Sequence, residues 1–275
     1  MKTILFISFI FAYSSISFAQ TDTIVSNNEK IPCLIKEITT DAVKYSYLGE
    51  EVTASLYKNA VQKIIFKNGR IQTFSEATAF KTVEKATDYD NVTITQVESE
   101  IKGLYKLGDA SSKAKGTTPI SNQERVKERA YRKFKIQAAM QGGNSIYLTN
   151  QRTNGNFTGG PYQMSTSTEA SLTGVVYTNK LPNYQEFIKL ISEKHDFMAI
   201  QELSLYSYFS GLTKSDINKK FSIYSIKNEN GLIMIEGQLA GETKYQKFRV
   251  VSFTKENYTI FYENKDTQYN IIIKI

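Results

Sequence analysis

One histidine, one cysteine and no tryptophan occur among 275 residues. A metal centre built from several histidines or thiolates has too few ligands in one copy of this chain, and so has an iron–sulfur cluster. An internal disulfide is impossible. A Cys–His catalytic pair would have to use Cys33 and His195. Acidic residues are scattered singly, so no glycosidase pair stands out. The Gly-Gly pairs at 142–143 and 159–160 lack the Lys and Ser/Thr of a phosphate loop, and the first pair ends a helical pattern instead of starting one. No internal repeat, low-complexity tract or dense basic run is present. No catalytic residue, metal site or cofactor site is therefore nominated.

What is present suits a folded chain. Hydrophobic residues make up 41% and aromatics 12%, enough to build a core. The formal charge is +7, a mild excess for this length that fits ordinary solubility better than a nucleic-acid surface.

The first residues read as an export signal. Lys2 gives a positive start, Ile4 to Ile16 is mostly apolar, and Ser17-Phe18-Ala19 fits the small–x–small cleavage pattern. Cleavage is expected between Ala19 and Gln20, making 1–19 a signal peptide. The apolar stretch is shorter than the roughly 20 residues of a membrane-spanning helix, and no later window spans. Cys33 is too far from the cleavage site for ordinary lipidation. The expected destination is the periplasm, the outer-membrane surface or the medium.

The mature chain divides into modules. Over 20–74, alternation at Ile31, Cys33 and Ile35, then at Val43, Tyr45 and Tyr47, then at Val52, Ala54 and Leu56, predicts short strands. Val61 to Phe66 adds another. Asn68-Gly69 is the dipeptide a type I′ hairpin turn prefers. These strands predict a small β-barrel-like module. Residues 75–90 read as a linker or short helix.

Residues 91–180 predict a β-α-β-β unit. Val92, Ile94 and Val97 mark a strand, and 109–120 a polar loop. A helix should run from an N-cap at Ser121, with Glu124 as its capping-box partner, to Met140. Val126, Ala130, Phe134, Ala138 and Ala139 form its apolar face. Arg125, Arg129 and Arg132 lie on its basic side and are the candidate anion-facing residues, for lipid or polymer. Residues 181–275 predict a helix near Phe187, Leu190 and Ile191 followed by an antiparallel β-meander. The whole reads as α+β.

Two segments carry resemblances. "KIPCLIKEITTDAVKYSY … ASLYKNAVQKIIFKNGRIQTF" resembles a β module near the N-terminus of many exported, multi-module envelope proteins of uncharacterised function in Gram-negative bacteria. That resemblance implies an SH3- or Sm-like barrel and no activity, and export argues against an RNA role. "AAMQGGNSIYL" is similar to the "A-x-x-x-GA-N-x-V" pattern of small periplasmic and lipoprotein α+β domains, with Gly143 standing in place of Ala.

His195 and Asp196 are adjacent and would not face each other on a helix, so they make a poor acid–base pair. Cys33 reads as a buried, inert thiol. Aromatics crowd the last module at Tyr206, Tyr208, Phe209, Phe221, Tyr224, Tyr258, Phe261 and Tyr262. They suit core and cross-strand pairs, and any exposed ones would stack on sugars or grip a partner. The expected function is non-enzymatic: binding or structure in the cell envelope, with an envelope protein or polymer as partner and no nucleic acid. The alternatives are a hydrolase of envelope polymers and a small-ligand carrier using the last sheet.

Overall fold

The computed structural model describes residues 21–26, 29–74, 80–118, 120–155, 166–192 and 194–275. The expected signal peptide, with Ala19 and Gln20, lies outside them, as do 75–79 of the linker and 156–165 of the loop around Gly159-Gly160. Of the described residues, 53% are in strands and 16% in helices, arranged around three sheets. The α+β class is thereby corrected: the protein is mostly β. No helix of the described residues is long and apolar enough to cross a membrane.

The first sheet comprises β1 (Asp22–Ser26), β2 (Glu29–Ile38), β3 (Ala42–Tyr47), β4 (Ala54–Tyr57), β5 (Lys63–Ile65) and β6 (Ile71–Thr73). Its order is β4-β3-β2-β1-β5-β6, antiparallel throughout, and β4 and β6 are edges that do not pair, so the expected β-barrel-like module is corrected to an open sheet. Ile24, Cys33, Val43, Tyr45, Val61 and Ile64 form its core. The Asp22 carboxylate accepts from the backbone N–H of Ile35 and of Lys67, which ties β1 to both flanks. At Asn68-Gly69 only Gly69 has positive φ, at 81°. Phe66 accepts from Gly69 N–H and donates to Arg70 O, so the turn is a three-residue loop with a glycine bulge, not type I′.

Cys33 is fully buried in this core, and burial raises its thiol pKa. Replacing it with Ala should cost on the order of 1 kcal/mol, because little volume is lost. Denaturant melts would measure this, and failure to fold would show that the site tolerates no change.

The second sheet has the order β7-β9-β10-β8, with β7 (Thr93–Thr95) parallel to β9 (Ser145–Asn154) and the other pairs antiparallel. β8 (Tyr105–Lys115) occupies most of the expected 109–120 loop, and β10 (Glu169–Thr178) lies between β8 and β9. The loop reading failed because β8 is built of Gly, Ala, Ser and Lys. Its small residues Ala110, Ser112 and Ala114 face inward beneath the helix.

Helix α1 (Gln123–Met140) crosses this sheet. Its N-cap is Asn122, whose side chain accepts from Arg125 N–H. Ser121 instead closes the preceding turn with Thr118. At the other end Gly142 takes φ 80°, donating to Ala139 O, and Gly143 donates to Ala138 O. That is the paired C-terminal closure in which glycine relieves the left-handed strain.

The last unit is a closed six-stranded barrel of β11 (Asp196–Leu205), β12 (Thr213–Glu229), β13 (Leu232–Leu239), β14 (Lys247–Phe253), β15 (Asn257–Asn264) and β16 (Thr267–Lys274). The helix-plus-meander expectation is corrected here. β16 pairs with β11, so the sheet closes on itself and leaves no edge. Asp216–Lys220 is part of β12. Helix α2 (Tyr184–Ile191) is a short lead-in whose Phe187 and Ile191 enter the barrel core.

Phe187, Phe197, Phe221, Phe248, Tyr258 and Tyr262 pack edge-to-face along the interior. The Tyr258 hydroxyl is buried there with no hydrogen-bond partner among the described residues, and burial raises its pKa. The axis of the barrel is filled with rings.

A bulge between Ala199 and Gln201 splits β11 into two halves. Phe197 and Ala199 belong to the barrel core. Beyond the bulge, Leu203 and Leu205 instead pack on Ala86, Ile136 and Met140 of the middle unit. One strand thus fills the barrel and attaches it to α1.

Candidate functional site

The residues nominated from sequence are not brought into one site. Arg125, Arg129 and Arg132 are exposed on one side of α1. Arg129 donates to Lys115 O, and the Arg132 guanidinium lies 6.0 Å over the Tyr89 ring. His195 is exposed, and α2 has ended four residues before it. Asp196 opens β11 and serves structure: it accepts from Ser222 and pairs with Lys220, which together hold its carboxyl below the usual range. Cys33 lies in the core of another sheet. Among the described residues no group of three His, Cys, Asp or Glu is placed to hold a metal ion.

A cleft of about 400 Å³ opens at one end of the barrel. Three connections build it: β11 to β12 through Ser207, β13 to β14 through Glu242, Thr243 and Lys244, and β15 to β16 through Lys265 and Asp266. Up-and-down topology places these alternate turns on the same rim.

Tyrosines edge the cleft. Tyr269 lines it and stacks on Tyr262, with ring centres 4.8 Å apart and planes 10° apart. Tyr245 leans on Tyr262 at 5.6 Å. Burial, and then the carboxylates of Glu202 and Glu242, raise the Tyr262 pKa. Tyr269 is raised too, first by burial, although a bond with Thr267 works the other way. Beside the cleft, Tyr206 and Tyr208 stack at 5.4 Å and 24°. Tyr208 is 85% exposed, and Phe209 next to it is also exposed.

That exposed loop is anchored from below. Lys133 of α1 is buried and donates its ammonium to the carbonyl of Ser207, between the two stacked tyrosines. Burial lowers the Lys133 pKa. In sequence Lys133 reads as one more member of the basic stripe. It was missed because it turns away from Arg129 and Arg132 towards the barrel.

A second depression of about 440 Å³ lies at the opposite end. Lys194, Lys220 and Lys274 surround Phe197, Met198 and Ile275 there. It has no comparable set of stacked rings.

The aromatics read as one group separate in the structure, and Phe261 packs at the seam with α1. Phe221, Tyr258 and Tyr262 are core, while Tyr206, Tyr208 and Phe209 collect at the rim. Tyr224 is exposed on β12, away from the cleft lining. Tyr245 and Tyr269 were not singled out from sequence; both meet Tyr262 of β15, which lies between β14 and β16. No family model, curated protein or solved structure matches the chain.

Proposed function

We propose that the protein is an exported, non-catalytic binding component of the bacterial envelope, and that the tyrosine-edged cleft at the barrel rim is its binding site. Export is supported by the signal-like N-terminus and by the resemblance of residues 30–74 to the β module of exported envelope proteins. One observation carries the site: the barrel axis is filled with side chains, while stacked rings collect around a single open rim. A filled axis supports a surface ligand over a carried one. Exposed rings are also the side chains that anchor partners best.

The test is retention of the mature protein on separated envelope fractions: sacculus, lipid and protein. Wild type should be retained by one fraction, and Tyr208→Ala should weaken retention roughly tenfold or more. Its thermal midpoint should stay put, because the ring is exposed. Equal retention by Tyr208→Ala and Tyr269→Ala would move the site elsewhere.

A hydrolase of envelope polymers is the second reading. It is favoured by Glu242 and Asp266, two carboxylates lining one cleft, as acid–base cleavage of a polymer would need. Release of new polymer ends by wild type, lost in Glu242→Gln, would establish it. Binding without release leaves the protein a binder.

A further inference from the structure

The barrel cleft carries little net charge. Glu242 and Asp266 stand against Lys244 and Lys265 on its lining, so these four cancel. Glu202 adds a carboxylate acting on both Tyr262 and Tyr269. With the Lys133 ammonium on the Ser207 carbonyl the site balances near zero, and no arginine fork lines it to bind phosphate or carboxylate. An acyl chain would need apolar walls, and these walls are mostly polar. Asn264, Thr243 and Thr267 offer amide and hydroxyl groups that both donate and accept.

The rings add a shape requirement. One face of Tyr269 is covered by Tyr262, and the residue lines the cleft. Tyr206 and Tyr208 form a second platform beside it. An electron-rich ring face suits a flat patch of C–H groups. A pyranose presents that patch, with hydroxyls around its edge for the carboxylates and amide. Lys133 fixes the Ser207 carbonyl between Tyr206 and Tyr208, so the platform is set before a ligand arrives.

From charge balance, polar lining and stacked rings together, we infer that the cleft binds an uncharged saccharide, one sugar ring seated on Tyr269 and another reaching Tyr208. This rests on the cleft being the binding site. Saturation-transfer NMR and calorimetry on the mature protein would use three probes: chitotetraose and laminarihexaose, both neutral, and an oligogalacturonate of similar length as the anionic counterpart. At least one neutral oligosaccharide should bind, roughly tenfold or more tighter than the anionic one. Tyr208→Ala should weaken it roughly tenfold. Asp266→Lys, which moves the cleft charge by plus two, should improve oligogalacturonate binding several-fold.

Anionic binding equal to or tighter than neutral would overturn the inference, and so would the absence of any signal from both neutral probes. In that second case, envelope retention lost in Tyr208→Ala would keep the cleft as the site and assign it another ligand class. Retention unchanged in Tyr208→Ala would overturn both readings. Because Tyr269 is partly buried, the exposed Tyr208 variant carries the test if Tyr269→Ala fails to fold.

Discussion

Phe134→Ala should lower the stability of the middle unit by about 3–5 kcal/mol, the usual cost of losing a buried ring. Phe134 is fully buried, and its ring lies over Gly174 of β10. A β-carbon at Gly174 would come within 3.0 Å of Phe134 Cζ and would run into the Tyr147 carbonyl. The glycine is therefore the hollow that receives the ring. Ala110, Ala130 and Ala138 of the same core cluster are too short to fill the space left behind. A site that cannot collapse keeps its cavity and bears the full penalty. Denaturant melts followed by circular dichroism would measure the loss. Charge reversal at Arg125 and Arg132 is the matching control: both are exposed, so the midpoint should not move beyond error. A loss below about 1 kcal/mol for Phe134→Ala would mean the sheet slides to fill the gap.

The helix over 123–140 was legible because its apolar residues repeat at helical spacing and its glycine pair closes it. The N-cap was misplaced by one position because Ser121 and Asn122 are both good caps, and only the local geometry chooses between them. Strands rich in aromatic and β-branched residues were legible too, as at Tyr258 to Tyr262. β8 was not: Ala, Ser and Gly give no strand signal by themselves, and β8 is held by its neighbour β10 and the helix above.

The barrel was illegible for a different reason. Each of its strands alternates as a meander would, and closure depends on the β16–β11 ladder, between residues about seventy positions apart. The bulge at Ala199–Gln201 hid a second fact. Phe197, Ala199, Leu203 and Leu205 share one parity and read as a single inward row, yet the extra residue sends the last two outward to α1. Tyr262 and Tyr269 pair across the β15–β16 hairpin and Tyr206 and Tyr208 within one loop, but only the β16–β11 ladder brings the two pairs to one rim.

Arg249→Ala should cost about 3 kcal/mol and should separate the melting of the barrel from that of the middle unit. Arg249 projects from β14 and is nearly buried, and burial lowers its pKa to about 10, so it stays cationic at neutral pH. One nitrogen donates to Leu107 O of β8 and another to Gln141 O at the end of α1, both at 2.8 Å. Its guanidinium also lies 5.1 Å over Phe261. A cation at the C-terminal end of a helix meets the negative pole of the helix dipole. Truncation would leave two carbonyls without this partner and a void in the seam.

Arg249→Lys should recover little, since one ammonium cannot reproduce a fork that holds two carbonyls. Asn270→Ala, which removes one bond to Met140 O and a longer one to Tyr269 O, should cost less. The readout that separates a seam from ordinary packing is the binding cleft. Lys133 holds the Ser207 carbonyl only while α1 stays seated on the barrel. Arg249→Ala should therefore weaken ligand binding at the rim, although Arg249 does not line the cleft. A single cooperative melt with unchanged binding would show that Leu203, Leu205, Ile136 and Met140 hold the two units together without it.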